Sequence, residues 1–228
     1  MKVGVVVFPG SNCDHDTKRV FAEVLGQEAT FLWHKDADLQ NVEAVVVPGG
    51  FAYGDYLRTG AIARFSPVMN SVKAFADKGG KVLGICNGFQ ILQEAGLLDG
   101  AMLRNQRVKF LSQRVHVRVE ANDTAATKGL AKGEVIQGLP IAHGEGNLYL
   151  DDESLARLEG EGRVVFRYCE PTGDLTDAAN ANGSRNAIAG ICNAGRNVVA
   201  LMPHPERASE KILGNEQGRR ILEAFIAN

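Results

Sequence analysis

Gly84-Ile85-Cys86-Asn87-Gly88 closes the apolar run that starts at Lys81-Val82-Leu83 and opens directly into a helical pattern, Phe89-Gln90-Ile91-Leu92. A cysteine on such a strand-to-helix turn reads as a nucleophile elbow, because glycine on either side leaves room for the sharp turn and for helix packed closely on strand. The unpaired N–H groups and partial positive charge at the helix N-terminus favour thiolate over thiol, and thiolate is the attacking form. A lone cysteine is more often a small buried hydrophobe. Here the paired glycines and the strand-helix context favour the nucleophile.

A thiolate that attacks a carbonyl works best with a base that takes the thiol proton and later returns it to the leaving amine, and histidine suits that task near neutral pH. Of His15, His34, His116, His143 and His204, the candidate is His204, which sits just past an apolar run with a carboxylate two residues on, in Pro203-His204-Pro205-Glu206-Arg207. Pro205 biases His204 away from helix, so the segment is expected to stay extended and rigid while Glu206 turns back to hold the imidazole tautomer. Without Cys86 the same residues would read as a surface turn.

An oxyanion formed by that attack needs backbone donors. The N–H of Asn87 is one candidate and Gly49 or Gly50 supplies the other, since backbone without a side chain can approach a bound carbonyl. Pro48-Gly49-Gly50 alone would be an ordinary turn after a strand. Gln90 lies about one helical turn beyond Cys86 on the same face, placed to bind an amide substrate or otherwise to be satisfied by a loop. His143-Gly144-Glu145-Gly146 offers two metal-ligand types, too few for a site, so it reads as a glycine-rich loop near the pocket and no metal is expected.

The elements that must position these groups are legible as alternating strands and helices. Strands are expected at 3–8, 29–33 and 44–47, helices at 14–25 and 68–78, and then the strand that ends at Cys86. Such alternation implies an α/β fold with a flavodoxin-like, doubly wound, mostly parallel sheet, in which sites gather at the carboxyl ends of strands. From Arg104 onward shorter strands, with Val115, Val117 and Val119 alternating against His116 and Arg118, point to antiparallel additions. Residues 178–186 read as an exposed loop, strands resume at 188–191 and 198–202, and a helix at 217–227 closes the chain.

The 228 residues, 45% hydrophobic and 23% charged, suit one globular domain over 1–228 with a sizeable core. A formal net charge of -2 gives no basic field, so nucleic acid is not an expected partner. The apolar run at 3–8 is too short for a signal peptide or a membrane span, so a cytoplasmic protein without membrane attachment is expected. Cys13, Cys86, Cys169 and Cys192 contain no Cys-x-x-Cys pair, which argues against a zinc site or a disulfide framework. Gly10-Ser11-Asn12 belongs to neither a Gly-x-Gly-x-x-Gly motif nor a P-loop, so no nucleotide site or cofactor is expected in this chain.

Taken together, Pro48-Gly49-Gly50, Gly84-Ile85-Cys86-Asn87-Gly88-Phe89-Gln90 and Pro203-His204-Pro205-Glu206-Arg207 resemble the triad-type (class I) glutamine amidotransferases. Phe8-Pro9-Gly10-Ser11-Asn12-Cys13-Asp14, the stretch from Phe51-Ala52-Tyr53-Gly54-Asp55 to Arg58, and Ile141-Ala142-His143-Gly144-Glu145-Gly146-Asn147 narrow the likeness to the stand-alone glutaminase subunits of phosphoribosylformylglycinamidine synthase. Ala52 stands where those subunits carry Ser, and the stretch 169–184 is longer than in their shortest members. The resemblance implies glutamine as substrate, a glutamyl thioester on Cys86, His204 and Glu206 completing a triad, and oxyanion donors at Asn87 and Gly50. It also implies a separate synthetase subunit that uses ATP and Mg, a small assembly subunit, and low activity until docking, with the loop 51–58 as a gate. Two other readings share the fold: a flavodoxin-like cysteine hydrolase, which need not carry His204 and Glu206, and a binding or regulatory subunit that has lost catalysis.

Overall fold

The computed structural model describes residues 1–227. Its strands are β1 (Lys2–Val7), β2 (Glu28–Trp33), β3 (Ala44–Val47), β4 (Lys81–Ile85), β5 (Ala101–Leu103), β6 (Leu111–Val119), β7 (Val135–His143), β8 (Asn147–Tyr149), β9 (Val164–Cys169), β10 (Ile188–Cys192) and β11 (Val198–Leu201). The helices are α1 (Asp14–Arg19), α2 (Pro67–Asp77), α3 (Asn87–Glu94), α4 (Asp152–Gly160) and α5 (Arg219–Ile226). Nine strands form one sheet in the order β2-β1-β3-β4-β11-β10-β9-β6-β7, and β5 pairs with β8 separately.

The first five of those positions are parallel and the rest are antiparallel. The parallel order is the flavodoxin one, and the additions all lie beyond β11. Strands β3, β4 and β11 read as unbroken apolar runs because both of their faces are covered, and nearly every residue in them is buried. By contrast β6 alternates, with Val115, Val117 and Val119 buried. Because β1, β3, β4 and β11 are neighbours pointing the same way, four loops far apart in sequence leave the sheet side by side.

Three local expectations change in the structure. The helix expected at 14–25 is α-helical only through Arg19 and continues as a π-turn over Val20–Val24, closed by Leu25 N–H donating to the Val20 carbonyl at 3.0 Å. The apolar face survives, since Val20 and Phe21 are still buried. Residues 178–186 are not simply an exposed loop, because Asn182 and Ser184 are buried and bonded. After His204 the chain does not stay extended: Pro205–Ala208 is a 3-10 turn. Among the described residues no helix is long and apolar enough to cross a membrane.

Candidate active site

Cys86 occupies φ +50°, ψ −106°, a backbone conformation that a side chain makes costly, on the order of 1–3 kcal/mol. Its surroundings hold it there. The Cys86 N–H donates to the Leu201 carbonyl at 2.9 Å, while its own carbonyl accepts from Phe89 and Gln90 N–H at 2.9 and 3.3 Å. Gly88 makes the turn possible, since a Cβ there would stand 1.9 Å from the carbonyl oxygen of Val47 on β3. The thiol is thereby presented above the end of β4, with Sγ 3.9 Å from the Ala142 carbonyl oxygen.

The register Ile85↔Leu201 puts the end of β11 beside the elbow, and His204 follows three residues later. Its N–H donates to the Pro140 carbonyl at 2.8 Å. The 3-10 turn at Pro205–Ala208 folds Glu206 back, so that Oε1 lies 2.6 Å from His204 Nδ1. A carboxylate can only accept there, so Nδ1 carries hydrogen. Both side chains are buried, and His204 Nε2 has no protein partner among the described residues. Burial works against a charged ring, yet Glu206, Cys86 and Cys13 together favour it more, and the imidazole is held protonated well above the usual histidine range.

Cys86 and His204 line one cavity of about 190 Å³ together with Cys13, Gly50, Phe51, Phe110, Ala142 and others. It adjoins a lobe of about 150 Å³ that shares Gly50, Phe51, Cys86, Phe110 and Ala142 and adds Asp55, Thr59, Gln90, His143 and Glu145. A larger cleft of about 640 Å³ between Arg118, Arg167, Asn180 and Asn186 contains neither Cys86 nor His204. Size does not locate the chemistry; the thiol and the imidazole do.

The remaining expected residues divide by what they touch. Gly50, at φ +142°, lines both lobes, while Gly49 makes room for the imidazole: a Cβ on it would lie 2.6 Å from His204 Cε1. Gly49 therefore seats His204. Asn87 turns its side chain away from the elbow, Oδ1 accepting the Ala52 N–H at 3.0 Å and Nδ2 donating to Gln90 Oε1 at 2.9 Å. Gln90 Nε2 donates to the Glu145 carbonyl at 2.5 Å. Gln90 lines the cavity, but both ends of its amide are engaged within the protein. It anchors the loop 144–146 from a position that also faces the cavity.

Residues 1–222 match the family profile of the CobB/CobQ-like glutamine amidotransferase domain. The phosphoribosylformylglycinamidine synthase subunit PurQ of Koribacter versatilis is 61% identical over 226 residues, covering 99% of this chain and 97% of the relative. The chain belongs to the PurQ family. PurQ of Chlorobaculum tepidum is 56% identical, covering 99% and 96% of the two chains. A chain in the solved structure of PurLQS from Thermotoga maritima superposes with a TM-score of 0.85 at 41% identity, covering 99% of this chain and 97% of that one.

In this PurQ-family chain the site also rests on residues that pattern reading did not single out. Asn105 Nδ2 donates to the carbonyls of Lys109 and His143, and Oδ1 accepts the Gly146 N–H. Asn182 and Ser184 donate to the Gly146 carbonyl at 2.7 and 3.1 Å. These bonds hold the loop that carries Glu145. Asn105 carries no motif, and only the asparagine-rich composition near 180 hinted at Asn182. Cys13 has no role assigned by its sequence pattern, yet it lies against His204, and Arg207 Nη2 is 3.2 Å from its sulfur. Cys13, His204 and Glu206 place metal-ligand atoms within 4.8 Å of one another, but Glu206 is already committed to His204 Nδ1.

Because Asn105 Oδ1 can only accept, the His143 ring, with Nδ1 3.1 Å away, carries its hydrogen on Nδ1. Burial first, then His204, pull His143 down to about 4 from 6.5. The folded state keeps the ring neutral while the unfolded chain takes up a proton, so stability is lost as pH falls from 6.5 toward 4. The full shift corresponds to ~3 kcal/mol. His143→Gln should flatten the fall in urea midpoint over that window; an unchanged slope would assign the acid loss to other groups.

Proposed function

We propose that this chain is the glutaminase subunit of a phosphoribosylformylglycinamidine synthase, hydrolysing glutamine on Cys86 and passing ammonia to a synthetase subunit. The observation that carries the reading is the strained Cys86 elbow sharing one cavity with a His204–Glu206 couple. The Cys86 thiolate attacks the side-chain amide carbon of glutamine, and the oxyanion is received by the backbone N–H groups of Asn87 and Gly50. Around Gly50 the neighbouring bonds are made by Phe51 N–H to the Gly10 carbonyl and by Cys13 N–H to the Gly49 carbonyl, which leaves the Gly50 donor to the cavity.

His204 Nε2–H then protonates the departing nitrogen, ammonia leaves, and the carbon remains as a thioester. Water adds to that thioester with His204 as base, glutamate departs and the thiol is restored. Glu206 keeps Nδ1–H in place throughout and so fixes which ring nitrogen faces the sulfur. No step calls for a cofactor in this chain; ATP and Mg belong to the synthetase, and a small third subunit completes the assembly, as the likeness to a chain of PurLQS supports. Four free cysteines support a reducing, cytoplasmic setting. The loop 51–58, in which Tyr53, Asp55 and Leu57 all hold positive φ, is the segment whose adjustment on docking would raise activity.

The test is made with the chain alone and with its synthetase partner. His204→Ala should cut glutamine-dependent product formation by about 10³-fold or more, and Glu206→Gln by less, because Glu206 orients the ring without carrying the proton. Ammonia-dependent synthesis should be unaffected in both. Equal losses would remove the division of roles, and glutamine hydrolysis as fast in isolation as in the complex would remove the gate.

A further inference from the structure

Gly50, Phe51 and Asp55 line the cavity, but the Tyr53 side chain between them runs into the body of the fold. Its Oη lies 2.7 Å from His34 Nδ1 and 3.0 Å from Ser66 Oγ, so the hydroxyl donates one hydrogen bond and accepts the other. Both partners are buried. His34 follows β2 and is itself fixed, its N–H donating to the Val7 carbonyl at 3.0 Å and its carbonyl accepting the Val68 N–H at 3.2 Å. Ser66 stands at the N-cap of α2, where a serine hydroxyl ordinarily accepts a helix N–H, yet it makes no such bond. Its hydroxyl serves Tyr53 instead. The Tyr53 ring packs edge-on against His34, with centroids 5.5 Å apart, and tilted against Phe8 at 6.3 Å.

The backbone at Tyr53 takes φ +56°, ψ +27°, a left-handed conformation that a residue with a side chain holds only when its surroundings impose it. Its N–H donates to the Pro9 carbonyl at 2.6 Å. Just before it, Phe51 N–H donates to the Gly10 carbonyl and Ala52 N–H to Asn87 Oδ1, both at 3.0 Å. Just after it, Tyr56 and Leu57 are 74% and 89% exposed. Tyr53 thus divides the loop into an inner part, tied to the turn after β1 and to the helix of the elbow, and an outer part in solvent.

We propose that Tyr53 is a positioning residue for glutamine hydrolysis, its hydroxyl clamped between His34 and Ser66 so that the stretch 50–52 keeps the Gly50 N–H aimed at the oxyanion. This rests on the glutaminase reading of Cys86 and deepens it, by naming what fixes the second oxyanion donor. The first donor, the Asn87 N–H, is placed by α3 itself. Gly50 has no helix to hold it and takes φ +142°, so its aim depends on what anchors the loop on its C-terminal side. A donor that acts in the transition state affects kcat far more than KM, and loss of the clamp displaces such a donor without removing a wall of the cavity.

Tyr53→Phe tests the clamp, since it removes the hydroxyl and keeps the ring against His34 and Phe8. In the assembled complex it should lower kcat for glutamine hydrolysis by about tenfold or more, short of the loss from deleting an oxyanion donor outright, with KM close to that of the unaltered protein. Alkylation of Cys86 by iodoacetamide reads the same thiol through a displacement that forms no oxyanion, and its rate should hold. His34→Asn, whose amide reaches the place of Nδ1, should keep more of kcat than His34→Leu, so a folding defect in Tyr53→Phe leaves the second pair to decide. The clamp is overturned by an unchanged kcat in Tyr53→Phe with equal kcat in the two His34 variants, and equally by hydrolysis and alkylation falling together, the mark of a site loosened as a whole. The glutaminase reading fails separately: an unaltered complex that hydrolyses no glutamine would remove that reading and the clamp with it.

Discussion

Cys86→Ala should lower glutamine-dependent synthesis by at least about 10⁴-fold, the scale seen when a catalytic nucleophile is removed. The loss should be confined to the step that needs a sulfur. Ammonia supplied directly to the complex bypasses the thioester, so ammonia-dependent synthesis should stay near that of the unaltered protein. Alanine keeps the Cβ that already occupies φ +50° and removes only a sulfur that makes one long contact, 3.9 Å, to the Ala142 carbonyl, so the fold should be retained. Parallel assays with glutamine and with ammonium salt read the two activities separately. If both vanish together, this chain does more for the synthetase than deliver ammonia; if neither falls, Cys86 is not the nucleophile.

The second large effect is on architecture. In Gly88→Ala the new methyl carbon would be placed 1.9 Å from the Val47 carbonyl oxygen and 2.7 Å from its carbon. Both are backbone atoms of β3, which is paired on one side with β1 and on the other with β4 through Val47↔Gly84. Neither strand can yield alone, so α3 has to lift from the sheet. Overpacking of this kind costs at least about 3 kcal/mol, at the upper end for single substitutions. The same shift moves the Asn87 N–H away from the elbow, so activity should fall with stability. Gly160→Ala is the control: nothing lies within 4 Å of its Cβ position, and it should be near neutral. Urea midpoints compare the two, and equal midpoints would mean that close packing at Gly88 is not what builds the turn.

Much of the site was legible because its information is local. Glycine two residues before and after Cys86 specifies a turn, and the apolar runs that end at Gly49, Cys86 and Pro203 specify strands whose ends carry loops. Glu206 could be assigned to His204 because only one residue separates them, although the device that joins them is a 3-10 turn and not an extended strand. What stayed hidden depends on partners distant in sequence. Gln90 on a helix face says nothing of which loop it meets, and only the placement of the loop 144–146 brings the Glu145 carbonyl to it. Asn182 and Ser184 look like solvated loop residues until the fold brings Gly146 to them.

From its sequence alone, then, this chain specifies the elbow, the histidine-carboxylate couple and the strands that deliver them, since turn chemistry and apolar periodicity act over a few residues. Tertiary structure alone decides that β11 lies beside β4, that Gly49 seats the imidazole while Gly50 faces the cavity, and that Asp55 and Glu145 meet across one lobe. The physical reason is that a polar group must be satisfied by whatever the fold places next to it, and the order of strands in a sheet is set by the burial of the whole core and not by any segment of it.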